Sequence, residues 1–272
     1  MQSSLDQVRD NIERHERIAS SYDQVHEEIY NDVEQQRLDA IISHALQLVD
    51  TGSETTRVMD LGCGAGNLTR HLLHHGCSVT AADVTPSFVS MVVATAPSRV
   101  DGLLLNGSDL GNVADCTYDM VATYSVLHHI PDYLSIVREM ARIVKPGGIV
   151  FIDHERSHDH WAPTPALLEY RTKTKQPRSF QWHADRLLRP RWWHTRWKQL
   201  FDSRYQEEGD IHVWPDDHIE WASIEAALID SNCEIVYSED YLMYEPHVDR
   251  ALFEAYKNVC NDLHCCIARR KR

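Results

Sequence analysis

From Arg57 onward the chain alternates short apolar runs with stretches whose apolar residues recur at helical spacing. The runs read as strands at 57–60, 78–83, 102–106, 118–124, 148–154 and 233–240, with helices between them, including 132–144 and 217–231. Short strands alternating with helices predict a parallel sheet covered by helices on both faces. Ligands of such sheets bind beyond the carboxyl ends of the strands, near the point where strand order reverses. The residues just after each strand are therefore the candidates for chemistry. Upstream, residues 1 to 20 and 22 to 50 read as two amphipathic helices laid against the sheet, the second carrying Ile29, Val33, Leu38, Ile41, Ile42, Ala45, Leu46 and Val49.

The most informative stretch runs from Val58 to Thr69. An apolar run ends in Asp60, glycines follow at 62, 64 and 66, and Asn67 to Leu73 reads as helix, which together make strand, tight turn, helix. Glycines at such a turn let backbone approach a ligand closely, and the helix start offers N–H groups with no partner inside the helix. A dinucleotide fingerprint needs its third glycine five positions after its first, whereas Gly62 and Gly66 are four apart. Asp83 closes the next apolar run, at roughly the 20-residue distance expected of a ribose-binding carboxylate.

At Asp60-Leu61-Gly62-Cys63-Gly64-Ala65-Gly66 the chain resembles the class I S-adenosylmethionine-dependent methyltransferases, whose first motif is acidic-x-Gly-x-Gly-x-Gly. The resemblance runs from about residue 55 to 155 and, more weakly, from 215 to 245. It implies an α/β fold: a doubly wound, mostly parallel, seven-stranded Rossmann-like sheet with a helical N-terminal lid over 1–50; the family's connection after strand five is usually short, whereas here about 60 residues intervene and read as a helical insertion. The sheet domain then comprises 51–154 and 216–272, and 155–215 forms a cap over the substrate. The implied cofactor is S-adenosyl-L-methionine. Asp60 is expected to hold the turn's N–H groups or the methionine ammonium, while Gly62, Cys63 and Gly64 form the wall the cofactor lies against. Asp83 is expected to accept from the ribose hydroxyls, with Val84 next to it. Asp109 is expected to accept from the adenine amino group, with Leu110 packed near the base. Tyr22 stands where the family's lid carries a tyrosine, and Tyr124 ends the fourth strand. The Leu127-His128-His129 segment lies beside the methyl group in the resembled family. His129 is the first candidate for a general base and His128 the second, because imidazole titrates near neutral pH. Alignment alone can also carry methyl transfer from a sulfonium, so a base is not obligatory.

Composition narrows this reading in a few places. Apolar content of 43% and charged content of 25% are ordinary for a globular enzyme. The chain holds no run of about 18 apolar residues and starts with polar residues, so neither a membrane span nor a secretory signal is expected and the location reads as cytoplasmic. Seven cysteines, an odd number with no CxxC pair, argue against a disulfide framework and a zinc cluster. His154, His158 and His160, with Asp153 or Asp159, have the spacing of metal ligands, but no second cluster completes a site; a solvated loop is the reading and no metal is expected. The net charge of −14 makes nucleic acid an unfavoured partner.

One segment departs from that acidity. Within 171–198 stand nine Lys or Arg against a single acid, Asp185, with Trp182, Trp192, Trp193 and Trp197 among them and Trp161 and Trp214 on either side. Tryptophan beside arginine suits a planar or anionic acceptor. The same residues would also serve as the core of a helical cap with its basic groups in water, or as a membrane-surface helix. The function expected is transfer of a methyl group to an O or N atom of a small-molecule acceptor, anionic or aromatic in character. RNA or protein methylation and non-methyl chemistry on the same cofactor are the alternatives, beside a noncatalytic module that has kept the fold. No Asn-Pro-Pro-type motif follows the fourth strand, which counts against base and amide methylation. A homodimer is compatible with the sequence.

Overall fold

The computed structural model describes residues 28–175 and 219–272. The first expected helix, Tyr22 at the start of the second, and most of the basic tryptophan-rich segment lie outside the described residues.

The first described helix, α1 (Asp32–Gln47), begins where Asn31 caps it by accepting from the N–H groups of Val33 and Glu34. The sheet strands and helices then follow in order: β1 (Arg57–Leu61), α2 (Asn67–His74), β2 (Ser78–Asp83), α3 (Pro86–Thr95), β3 (Val100–Leu104), β4 (Tyr118–Tyr124), α4 (Tyr133–Ile143) and β5 (Val144–Arg156). A single turn, α5 (His158–Trp161), and α6 (Pro165–Thr174) come next; α7 (Trp221–Asp230), β6 (Cys233–Tyr241), α8 (Arg250–Tyr256) and β7 (Leu263–Arg270) complete the described chain.

The seven strands form one sheet in the order β3-β2-β1-β4-β5-β7-β6. β1 through β5 run parallel, and β7 pairs antiparallel with β5 on one side and β6 on the other. Order therefore reverses between β1 and β4, which places a crevice at their carboxyl ends. Each central strand is buried on both faces, and alternation sends neighbouring side chains to opposite sides. Met59, Val121, Val150 and Ile152 join α4 and α7 in one core layer. Val58, Met120, Ala122, Phe151 and Ile267 join α1 and α2 in the other. α1 therefore belongs to the core, where Leu38, Ile42 and Ala45 are fully buried. Truncating Phe151, also fully buried, would cost about 3–5 kcal/mol.

Three sequence expectations change. In sequence, residues 241–267 read as an edge segment with a terminal helix and Arg269–Arg272 as a disordered basic tail; instead Leu263–Arg270 is a strand inserted between β5 and β6. Its run from Leu263 to Ala268, apolar apart from His264, is buried because both neighbours and both faces enclose it. Second, Lys145-Pro146-Gly147-Gly148, which reads in sequence as a tight turn before the fifth strand, falls within the bounds of β5. Pairing jumps there from Tyr118↔Val144 to Met120↔Ile149, so the segment loops out as an irregularity of that strand. Gly147 has φ +79°, and a Cβ on it would stand 2.2 Å from the Asp50 carbonyl oxygen. Third, β3 spans Val100–Leu104 where 102–106 was expected.

Candidate active site

A cavity of about 350 Å³ opens at the carboxyl ends of the strands, where order reverses. Of the expected site residues that are described, Asp60, Gly62, Cys63, Gly64, Asp83, Val84, Asp109, Leu110, Tyr124, His128 and His129 all line it.

The glycine turn forms the floor. Gly62 (φ +74°), Gly64 (φ +45°) and Gly66 (φ +85°) sit in the left-handed region that side-chain-bearing residues avoid. Their tasks differ. A Cβ on Gly62 would stand 2.5 Å from a Val126 methyl, so Gly62 lets the segment after β4 approach β1, whereas at Gly64 nothing lies within 4 Å and the backbone faces open space. The Gly62 and Cys63 amides both donate to the Ala82 carbonyl, at 2.8 and 3.1 Å, which ties the turn to β2. Burial pushes the Cys63 thiol far up, so it behaves as an inert apolar group.

The three aspartates are held in different ways. Asp60 is buried and accepts from the Thr69 hydroxyl at 2.5 Å; burial raises its carboxyl to about 7, against the lowering effect of the Thr69 bonds. Asp83 accepts from the Gly64 amide at 3.0 Å and from the Thr85 amide at 2.8 Å, which fixes it between the glycine turn and the start of α3. Asp109 is exposed and closes its own turn by accepting from the Gly111 amide at 2.9 Å and from the Asn106 side chain at 3.2 Å. Those bonds lower its carboxyl, the Gly111 amide most.

After β4 the chain makes one 3-10 turn, Leu127–His129, preceded by Ser125 at φ +59°. Glu155, near the end of β5, is almost fully buried and organises this turn. One of its oxygens accepts from the Val126 and Leu127 amides at 2.8 and 2.6 Å, and the other lies 2.7 Å from His128 Nδ1. His128 thus has a buried carboxylate partner. His129 lies against it, with ring centroids 4.0 Å apart, and also lines the cavity. Sequence reasoning passed over Glu155 because it read 153–160 as a solvated loop; the rule that chemistry follows a strand end would have pointed to it.

Next to this pair, β5 supplies a second buried polar group. Asp153 accepts from Arg37 of α1 at 2.9 Å, from the Tyr241 hydroxyl at 3.1 Å and from the His154 amide at 2.8 Å. His154 has φ +65°, stacks on Tyr124 with centroids 4.5 Å apart, and has Nδ1 3.1 Å from the Tyr241 hydroxyl. Burial and the nearby Arg37 push its imidazole well below the usual range, while burial pushes the Tyr124 hydroxyl well up. His154, Arg156 and His160 line the cavity. The metal spacing noted at His154, His158 and His160 corresponds to no group of three or more ligands placed to hold an ion among the described residues.

Residues 59–152 match the family model described as a methyltransferase domain. Over 99 residues the chain is 34% identical to a ubiquinone biosynthesis O-methyltransferase from Xanthomonas campestris, an alignment that covers 35% of this chain and 41% of that protein. A relative of the same description from Xanthomonas euvesicatoria is 32% identical over 123 residues, covering 43% of this chain and 52% of that one. The chain thus spans about half, or less, of the length of these curated relatives. Among solved structures, an S-adenosylmethionine-dependent methyltransferase from Methanosarcina mazei superposes with a TM-score of 0.53 at 19% identity, covering 85% of this chain and 97% of that one. The magnesium protoporphyrin IX methyltransferase of Synechocystis, with bound SAH, gives 0.52 at 15% identity, with 89% and 88% covered. At such identities the likeness is one of fold.

Proposed function

We propose that this chain, a class I S-adenosylmethionine-dependent methyltransferase, uses the crevice at the head of β1, β2 and β4 to methylate an oxygen of a small-molecule acceptor. The observation that carries this reading is that one cavity is lined both by the glycine turn with its aspartates and by a histidine paired with a buried carboxylate. The 34% identical O-methyltransferase relative favours oxygen as the acceptor atom.

The residues present fit the cofactor. Gly64 leaves open space where any other residue would place a Cβ, so an adenosyl group can lie directly against the turn. Asp83, held by two backbone amides, suits the paired hydroxyls of a ribose. Asp60, buried with its proton affinity raised, gains a counter-charge if an ammonium arrives beside it. Asp109 lines the same cavity and can accept from an adenine amino group. When bound, S-adenosylmethionine would supply a methyl group made electrophilic by its sulfonium.

His128 is the base in this reading. Glu155 accepts at Nδ1, which favours the tautomer with its proton there and its basic lone pair on Nε2. That nitrogen takes the proton of an acceptor hydroxyl as the oxygen attacks, and the buried carboxylate stabilises the imidazolium that results. His129 shapes the wall beside it.

Calorimetric titration with S-adenosylhomocysteine tests the cofactor site, and transfer of label from methyl-labelled cofactor to extract metabolites tests the reaction. Absence of binding at millimolar ligand rejects the proposal. Label appearing only in RNA or protein would reject the small-molecule acceptor.

A further inference from the structure

β5 delivers His154 to the crevice through an irregularity of its own. Between Ile152 and Glu155 its pairing with β7 slips: Ile152 stands opposite Cys266 and Glu155 opposite His264, so Asp153 and His154 together stand against Cys265. Two residues against one make a β-bulge, and His154, at φ +65°, occupies the left-handed position that such bulges ordinarily fill with glycine. Strict alternation would send Asp153 and His154 to opposite faces. Instead both meet the Tyr241 hydroxyl, through Oδ1 and Nδ1 respectively, each at 3.1 Å, and Glu155 is released toward His128. Backbone strain of this kind persists where surrounding contacts hold it, and it concentrates at functional sites. The contacts here are the His154 amide on Asp153 at 2.8 Å and the ring stacked on Tyr124 with an interplanar angle of 15°.

The same bonds fix where the imidazole proton sits. The Tyr241 hydroxyl donates its one proton to Asp153, which is ion-paired with Arg37, so the Tyr241 oxygen accepts from His154. Nδ1 therefore carries the ring proton, and Nε2, on the other edge of the ring, carries a lone pair. Burial first, then the charges of Arg37, Arg156 and His128, push this imidazole well below its usual range and keep Nε2 bare. Among the described residues Nε2 accepts from no group, and it is not sealed in the core; it opens on the cavity that His154 lines.

The residues suited to the cofactor, Asp60, Asp83 and Asp109, follow β1, β2 and β3, whereas His154 and Glu155 stand near the end of β5, on the other side of β4. His128 follows β4, between the two groups, and is near enough for its charge to act on His154. A bare lone pair in that part of the crevice calls for a hydrogen-bond donor on the molecule that receives the methyl group.

We infer that His154 is a specificity-determining residue, whose Nε2 accepts a hydrogen bond from a second hydroxyl or amino group of the acceptor while another hydroxyl is presented to His128. This rests on the methyltransferase reading above and names its substrate class, a small molecule with at least two hydrogen-bond donors. His154 has no part in moving the proton.

The test uses the full chain saturated with S-adenosylhomocysteine, whose own heat of binding reports on the cofactor site separately. Benzene-1,2-diol and benzene-1,3-diol are titrated by calorimetry, each beside the fluorophenol in which fluorine replaces one hydroxyl and so removes one donor. At least one diol should bind about fivefold or more tightly than its fluorophenol, the worth of one net hydrogen bond. His154→Asn puts an amide where Nδ1 was, so the Tyr241 bond and the left-handed backbone are kept and Nε2 alone is removed. That variant should keep its melting temperature and its affinity for S-adenosylhomocysteine, while the diol preference falls to within about twofold. Long-range proton–nitrogen correlation spectra of the parent chain should show His154 with its proton on Nδ1 at pH values where ordinary imidazoles are charged. A proton on Nε2 overturns the inference whatever the stability of the variant. Equal binding of diols and fluorophenols, a preference that survives in His154→Asn, or no diol binding at millimolar concentration overturns it likewise, and the cofactor reading stands if S-adenosylhomocysteine binds. Failure of S-adenosylhomocysteine to bind removes both.

Discussion

Replacing Glu155 by Gln alters only one charge, yet it should change which nitrogen of His128 holds the proton. The glutamate takes the Val126 and Leu127 amides on one oxygen and His128 Nδ1 on the other. A glutamine that keeps the two amides on its carbonyl oxygen turns its NH₂ toward Nδ1. That nitrogen must then accept, and the proton moves to Nε2, where the reaction needs a lone pair. A positioned base contributes about 10²–10⁴-fold, so kcat should fall about 10²-fold or more, equivalent to roughly 2.7 kcal/mol of barrier. Replacing the charge-assisted bond by a neutral one should remove about 1–2 kcal/mol of stability, which urea unfolding measures. S-adenosylhomocysteine affinity should hardly move, because Asp60, Asp83 and Gly64 are untouched. The assay is single-turnover methyl transfer on whichever acceptor the labelling experiment identifies, with His128→Ala, Glu155→Gln and the double variant compared. Because the two residues act as one unit, the double variant should be no slower than His128→Ala. A Glu155→Gln enzyme that keeps kcat within about threefold, or losses that simply multiply, would refute the dyad.

Asp83→Ala should weaken S-adenosylhomocysteine binding about tenfold or more by losing the ribose acceptor and freeing the Gly64 and Thr85 amides; unchanged calorimetric affinity removes this assignment. Arg37→Met leaves Asp153 buried without its cation and should cost about 3–5 kcal/mol in chemical unfolding, much of it regained when Asp153→Asn is added; a single variant as stable as the parent contradicts the buried pair. Gly62→Ala meets both an unfavourable φ and the Val126 methyls, so it should lower Tm and disturb the His128 turn, whereas a neutral effect on melting would show that turn to be adaptable. Asp60 titrates near 7 when folded and near 3.8 when unfolded, so between those pH values the folded state holds the extra proton. Stability of the ligand-free protein should therefore fall as pH rises from about 4 to 7 and level off above, and Asp60→Asn should flatten that part of the curve. An unchanged pH profile in the variant excludes Asp60 as its source.

The parts of the site that reading the chain could reach are those encoded locally. The turn at Gly62–Gly66, the aspartates ending β1 and β2, and Leu127–His129 after β4 each lie beside an apolar run that marks its own strand, and all of them reach the cavity. What could not be read is pairing across the sheet. Glu155 meets His128 only because β4 and β5 are neighbours in register, with Tyr124 opposite Asp153. Arg37 meets Asp153 because α1 packs beneath the same strand, and 116 residues separate the two. β7 illustrates the limit most plainly. A mostly apolar run such as Leu263–Ala268, broken by His264, fits a buried strand or a buried helix equally well, and no local signal says between which strands it will lie.

That placement of β7 bears on how the molecule is made. β6 leaves the ribosome before β7, yet its hydrogen-bonding edge toward the sheet belongs entirely to β7. Until Leu263–Arg270 has been synthesised, β5 and β6 each present a bare margin, and a nascent chain paused in that interval is exposed to pairing with foreign strands. Closure of the part of the crevice where Leu263 and Met243 stand thus waits for a translation event about two hundred residues later than the cofactor turn.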